Sequence, residues 1–195
     1  MTQLMFDSST GLLVVALAKD GRMIDYSIRM GKKDHAKHIV DRIAQVLERK
    51  HLRLEQIDEI IVGSGPGSYT GIRISVMVAK MLGYAKNIKI KEVSSVLFLT
   101  SGYEGTICGM IDARNGNVFG GIYDKEKCLL EDGLRTLDEM RVVAKNMNAK
   151  PIMIDEYHYE IDTHIISLFS RDVKDIAHFG PNYLRVTEAE RNLNK

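Results

Sequence analysis

The sequence predicts an α/β protein of two related lobes, each opening as an antiparallel meander and continuing into parallel crossover units. Three observations predict it. Short apolar, β-branched runs joined by tight turns open the chain. The hydrophobic period then switches from two to 3.6 and back. Near residue 105 the opening pattern begins again.

Leu4 to Asp7 reads as a short buried strand ending in the polar turn Asp7-Ser8-Ser9-Thr10-Gly11. Leu12 to Ala18 is a second strand, and Asp20-Gly21 is a hairpin signal into a third, Met23 to Met30. From Asp34, a candidate N-cap, apolar residues fall at Ala36, Ile39, Ile43, Val46 and Leu47 with helical spacing. Ile57 to Val62 returns to strand, Thr70 to Tyr84 is helical, and Ile88 to Val93 is strand. Ser94 caps a short helix to Ser101. Laying Phe6–Leu13 over Ile111–Val118 without a gap sets Asp7 on Asp112, Gly11 on Gly116, Leu13 on Val118 and Leu17 on Ile122. The shared order of elements favours a duplication, with one lobe over 1–103 and a smaller one over 104–195. In the second lobe Thr136 to Asn148 reads as helix, Pro151 to Ile154 as strand and His164 to Phe169 as a short helix. Gly180 to Arg185 is mildly strand-like, and Thr187 to Lys195 is a polar, frayed end.

Composition narrows the function classes. Hydrophobic residues are 45% and charged residues 27% of the 195, the balance of a folded globular protein. A formal net charge of +1 supplies no global field for nucleic acid or acidic lipid. Cys108 and Cys128 are too few for a disulfide framework and have no zinc spacing, so both read as reduced core or strand residues. The N-terminus lacks the pattern of a secretory signal. The longest mostly apolar stretch, Ile72 to Leu82, is too short and too charged to span a bilayer. These features predict a cytoplasmic protein without membrane contact.

Duplicated lobes that each begin with an Asp-containing hairpin resemble the actin-like, sugar-kinase and heat-shock-ATPase superfamily, a ribonuclease-H-like fold. In such folds the two hairpins face each other across a cleft for nucleotide phosphates and magnesium. Asp7, Ser9, Thr10 and Gly11 would line one wall, and Asp112, Arg114 and Gly116 the other. The competing reading is that Asp and Gly simply make good turns. An independent ATPase or kinase using Asp7 and Asp112 is thus one functional alternative.

The segment from Gly63 through Arg73 follows a strand and opens a helix, where an anion loop would sit. It fails the common templates: no Lys-Ser/Thr pair follows the glycines, the sixth position from Gly63 is Ser68, and Pro66 removes a donor. The helix that follows leaves no wide polar face, only Arg73, Ser75 and Lys80. A helix apolar all round is buried all round, either by the second lobe or by another protein. The residues marked for docking are Gly67, Ser68, Tyr69, Thr70, Arg73, Val76, Met77 and Lys80, with Gly67 and Gly71 allowing another backbone close approach. On the first helix His35, His38, Arg42 and Arg49 share a narrow polar stripe, solvated or facing a partner. His51, His158, His164 and His178 are scattered, and spacing defines no catalytic or metal set.

At Gly65-Pro66-Gly67-Ser68-Tyr69-Thr70-Gly71-Ile72-Arg73 the chain resembles the TsaB (YeaZ) family, whose hallmark is GPGS[FY]TG[LIV]R. Phe6 to Thr10, Val15-Ala16-Leu17 with Asp20-Gly21, His35, Ile111 to Arg114 and Pro181 to Arg185 match further family positions in order. The resemblance implies a non-catalytic partner of TsaD in making threonylcarbamoyladenosine beside the anticodon of tRNAs that read ANN codons. It implies a heterodimer with TsaD through the N-terminal lobe, a ternary complex with the ATPase TsaE, and a homodimer when alone. It implies tRNA contact only through the complex, no required cofactor, and ATP or ADP, if any, at the junction with the partner. The catalytic paralogue holds its metal with an HxxxH helix. The matching stretch here, Val93 to Leu99, has neither histidine nor carboxylate, which also argues against a metallopeptidase. The chain is short after about residue 125 against the family pattern, implying a trimmed second lobe and an incomplete interlobe cleft.

Overall fold

The computed structural model describes residues 1–31 and 34–184. Its first half runs β1 (Thr2–Asp7), β2 (Leu12–Lys19), β3 (Arg22–Met30), α1 (His35–Arg49), a 3-10 turn (Leu54–Gln56), β4 (Glu59–Gly63), α2 (Tyr69–Lys86), β5 (Lys89–Val93) and α3 (Ser95–Thr100). The second half runs β6 (Ile107–Arg114), β7 (Asn117–Tyr123), β8 (Cys128–Thr136), α4 (Leu137–Asn146), β9 (Lys150–Met153), α5 (Thr163–Phe169) and the two-residue β10 (Arg171–Asp172). Two sheets result, in the orders β10-β5-β4-β1-β2-β3 and β8-β7-β6-β9.

The duplication is visible in the pairing. In each half a three-stranded antiparallel meander is followed by a helix and a strand that joins the meander's first strand in parallel, β4 on β1 and β9 on β6. The turn chemistry repeats too. An Oδ1 of Asp7 accepts the Ser9 N–H at 2.8 Å, and Oδ1 of Asp112 accepts the Arg114 N–H at 2.8 Å. Nothing in the second sheet corresponds to β5 among the described residues, so the second lobe is the reduced one. Asp20 and Gly21 take φ of 52° and 78°, the conformation a two-residue hairpin requires and the reason Asp-Gly appears there.

Three apolar clusters hold the layers. One face of the first sheet (Leu4, Phe6, Leu13, Val15) packs under α1 and α2 through Ile39, Ile43, Val76 and Ala79. Its other face (Met5, Val14, Ala16) meets α3, α5 and the second sheet in a core shared by both lobes. The outer face of the second sheet packs on Met140 and Ala144 of α4. The alternating residues of β1 and β2 serve both faces, so Leu4–Phe6 and Leu12–Ala18 are continuous apolar runs.

Several expectations need correction. The sequence reading assigns no element immediately before Thr136, where the chain forms β8, an edge strand, mostly half-buried, with Gly133 inside it. Asp34 precedes α1 without capping it, because its carboxylate is taken by Arg29 at 2.6 and 2.7 Å. Residues 180–184 form no strand, while Arg185 and the polar end Thr187–Lys195 lie outside the described residues. The expected second lobe also gives up its last stretch. After α5 the chain returns to the first sheet through β10 on β5, then crosses α2.

Candidate docking face on the second helix

Several N–H groups of the Gly63–Arg73 loop are engaged within the chain. Ser64 N–H donates to the Val93 carbonyl at 3.1 Å, Gly65 N–H to Ser95 Oγ at 3.1 Å and Ser68 N–H to the Ser9 carbonyl at 2.7 Å. Ser68 caps α2 by accepting the Gly71 N–H. Donors already spent in this way are not aimed at an anion. The glycines are there for close approach. A Cβ at Gly67 would stand 2.5 Å from the Ser9 carbonyl oxygen, one at Gly71 would overlap the Ser8 carbonyl oxygen, and Ser8 Oγ donates to the Gly71 carbonyl at 2.8 Å. The backbone that comes close is therefore this chain's own β1–β2 turn, not a partner's.

Of the residues expected to line phosphate walls, Asp7 and Ser9 are enclosed within the chain. Asp7 is fully buried, accepting Ser9 N–H, Ser9 Oγ–H at 2.7 Å and Ser95 Oγ–H at 2.5 Å. Burial pushes its carboxyl above the ordinary carboxylate range, with the three hydrogen bonds and nearby His35 opposing. Ser9 is buried, and Thr10 spends its hydroxyl on the Leu12 N–H and its carbonyl on His35 Nε2. Asp7 is a structural hub tying β1 to the start of α3. Asp112 and Arg114 are exposed on the second hairpin. An open cavity of about 580 Å³ lies elsewhere, between the β2–β3 turn and the second lobe, lined by Gly21, Arg22, Lys125, Glu160 and His164 among others. Among the described residues no group of three or more His, Cys, Asp or Glu is arranged to hold a metal.

The outer side of α2 is different. Gly71, Ile72, Ser75, Val76, Val78, Ala79 and Gly83 face inward, while Tyr69, Met77, Met81 and Tyr84 are 46%, 60%, 54% and 81% exposed. The second lobe sits on the opposite face of the first sheet, so it leaves this stripe uncovered. Val76, expected on the docking face, is core, being on the sheet side of the helix. Thr70 and Ser68 are exposed at the helix start. Lys80 is held by the Ala177 and Phe179 carbonyls at 2.8 Å each, and Phe179 fills the core beside α2.

The stripe expected on α1 resolves into structural contacts. His35 is 4% exposed, and its Nε2 lies 3.0 Å from the Thr10 carbonyl oxygen. His38 pairs with Asp34, Arg42 reaches Ser27 Oγ at 3.3 Å, and Arg49 binds Asp25 at 2.8 Å, so this side of the helix is stapled to β3. The opposite flank, toward α2, carries exposed Ala36, Val40 and Ala44, four residues apart. The helices α1 and α2 touch, so these residues and the exposed Met77, Met81 and Tyr84 are apolar surface on neighbouring helices. Val40, Tyr84 and Tyr183 escaped the sequence reading. An all-apolar helix does not reveal which side its sheet will take, and Tyr183 joins the face only through the fold. Its ring stacks on Tyr69 at 4.9 Å between centroids.

The comparisons with known proteins agree with this architecture. The sequence model of the TsaD family, described as tRNA N6-adenosine threonylcarbamoyltransferase, matches residues 29–164, more than half of the chain. The Bacillus subtilis (strain 168) tRNA threonylcarbamoyladenosine biosynthesis protein TsaB is 35% identical over 134 residues, 67% of this chain and 58% of that protein. The chain belongs to the TsaB (YeaZ) family. Its TsaB relative from Escherichia coli (strain K12) is 27% identical over 150 residues, 74% of this chain and 63% of that protein. The chain thus spans under two thirds of the length of these curated relatives. Among solved structures, a Pseudomonas aeruginosa protein described as similar to peptidase YEAZ has a TM-score of 0.78 at 22% identity, covering 94% of this chain and 99% of that one. The structure titled YeaZ from Pseudomonas aeruginosa has a TM-score of 0.67 at 24% identity, covering 86% and 89%. Both share the actin-like, ribonuclease-H-like fold of this family member, and no described helix is long and apolar enough to cross a membrane.

Proposed function

We propose that this TsaB-family chain serves tRNA threonylcarbamoyladenosine biosynthesis as a non-catalytic subunit that docks TsaD. The supporting observation is the apolar face of Ala36, Val40, Ala44, Met77, Met81 and Tyr84, which no part of the described chain covers. An exposed apolar surface of this kind, bordered by polar residues, is the usual mark of a protein interface. TsaD transfers the threonylcarbamoyl group, and this chain supplies a surface rather than a reacting group. TsaE joins the pair, tRNA is met through the complex, and in isolation the chain pairs with itself through the same face, all in the cytoplasm. Any nucleotide sits at the junction with TsaD, because Asp7 is sealed and leaves nothing to grip it between the lobes.

The test is tRNA modification by TsaD with and without this chain, alongside co-purification of the two proteins. Modification that proceeds equally well without the chain, or a complex unaffected by charge at Met77 and Met81, refutes the reading. Nothing observed favours an independent ATPase. Calorimetry of the isolated chain with magnesium-ATP is expected to give no binding heat.

A further inference from the structure

The helix α2 carries three cations and no acid in its sequence YTGIRISVMVAKMLGYAK. Two of the cations are satisfied within the chain. Lys80 holds the two carbonyls of the C-terminal stretch, and Lys86 pairs with Glu55 at 2.5 Å. Arg73 has no carboxylate partner among the described residues, yet it is held in place. Its guanidinium lies 4.1 Å above the Tyr69 ring centroid, and its Nε donates to the Tyr183 hydroxyl at 2.6 Å. Tyr183 itself is fixed by stacking on Tyr69 and by the neighbouring Asn182 N–H, which donates to the Ser64 carbonyl at 2.8 Å. A guanidinium gripped through Nε and one face presents its terminal nitrogens as a preorganised fork, which is the geometry that takes a carboxylate through two hydrogen bonds. The clamp stands at the N-terminal end of the stripe formed by Met77, Met81 and Tyr84, one helical turn before Met77.

We propose that Arg73, clamped between Tyr69 and Tyr183, is the residue that fixes the register of docking by taking an aspartate or glutamate side chain of the partner protein at the edge of the apolar face. The proposal rests on the docking reading above and specifies what the partner brings: an apolar surface with one carboxylate placed a turn beyond the methionines. The C-terminal stretch gains a role in binding, since Tyr183 reaches the face only because residues 173–184 cross α2. An arginine already immobilised loses little side-chain entropy when it pairs, so more of the attraction survives as affinity.

The experiment is titration of the folded full-length chain with TsaD by calorimetry at two ionic strengths. Arg73→Gln is expected to weaken binding about thirtyfold and to flatten its dependence on salt, as for truncation of a charge buried on association. Arg73→Lys retains charge without the fork and is expected to recover only part of the loss. Tyr183→Phe keeps the ring stack but removes the hydroxyl, with an expected loss of about fivefold, the value of one hydrogen bond. Wild-type affinity and salt dependence in Arg73→Gln overturn the proposal, provided Met77→Glu abolishes binding in the same series. Met77→Glu binding like wild type overturns the docking reading instead. Deleting residues 186–195 removes Glu188 and Glu190, the acids of this chain's own end, and is expected to leave the effect of Arg73→Gln intact; its disappearance assigns the carboxylate to this chain and overturns the proposal. Light scattering of the isolated chain closes the series, because self-association that Arg73→Gln abolishes while TsaD binding keeps its affinity makes a second copy the occupant and overturns it as well.

Discussion

Replacing Gly65 with alanine tests the reading of the glycine loop as an internal joint. Gly65 is buried and has a φ of +117°, a region that a residue with a Cβ enters at a cost of about 1–3 kcal/mol. A Cβ there would also stand 2.7 Å from the Asn182 carbonyl oxygen, where ordinary contacts begin at 3.4 Å, so the C-terminal stretch must retreat by roughly the difference. That retreat strains the Asn182 N–H to Ser64 carbonyl bond of 2.8 Å, worth about 1 kcal/mol. The two effects sum to about 2–4 kcal/mol. At about 2–4 °C per kcal/mol for a chain of this size, the melting temperature of Gly65→Ala is expected to fall by about 4–16 °C. Thermal unfolding followed by far-UV circular dichroism measures it. A shift of less than about 2 °C refutes the argument, since the chain would then have closed the joint without needing glycine.

Other perturbations separate surface from core. Met77→Glu and Met81→Glu place charge on residues 60% and 54% exposed, so melting temperatures should hold while TsaD binding weakens about a hundredfold or more. Val76→Glu, on the sheet side of the same helix, should instead unfold the chain, which a denaturation series shows. Asp132 is half-buried, accepting Ser94 Oγ–H at 2.5 Å and Tyr123 Oη–H at 2.6 Å, and burial lifts its carboxyl above the ordinary range, aided by Glu131 and opposed by these bonds and Arg135. A raised folded-state value means the native chain holds the proton longer than the unfolded chain. The stability it contributes is complete below the unfolded value near pH 4 and is lost as pH rises through the folded value. Asp132→Asn should therefore gain stability relative to wild type as pH rises from about 4 toward neutrality, and parallel stability-versus-pH curves would refute this. Burial pushes the Cys128 thiol up to about 11, so at pH 8 it should react with a thiol reagent roughly a hundredfold more slowly than in the unfolded chain.

The first lobe was legible because its signals are local. Asp20-Gly21 demands its hairpin whatever surrounds it, and Ser94 caps the helix it precedes, since a cap is satisfied within three residues. The repeat was legible for the same reason: Asp7 and Asp112 each bind a backbone N–H two residues on. Edge elements were not. Cys128–Thr136 lacks alternation because neither of its faces is fully buried, and β10 is two residues paired to a strand eighty positions earlier. The contacts of the polar stripe of α1 were hidden for a related reason. His35, Arg42 and Arg49 look like a free face in the sequence, yet they answer Thr10, Ser27 and Asp25, partners that only the packing of α1 on β2 and β3 supplies.

By itself the sequence determined the α/β class, the duplicated lobes, the family, and the point where the second helix begins. Those follow from periodicity, turn chemistry and a nine-residue motif at Gly65–Arg73, all of them short-range. Tertiary structure decided which side of α2 is free, because an apolar helix is assigned its inner face only when a sheet and a second lobe take their places. It decided also that Asp7 is a buried joint, since Ser95, eighty-eight positions away, donates to it. And it brought Tyr183 across 110 residues to clamp Arg73, a contact that no local pattern records because its cause is the return of the C-terminal stretch over the first sheet.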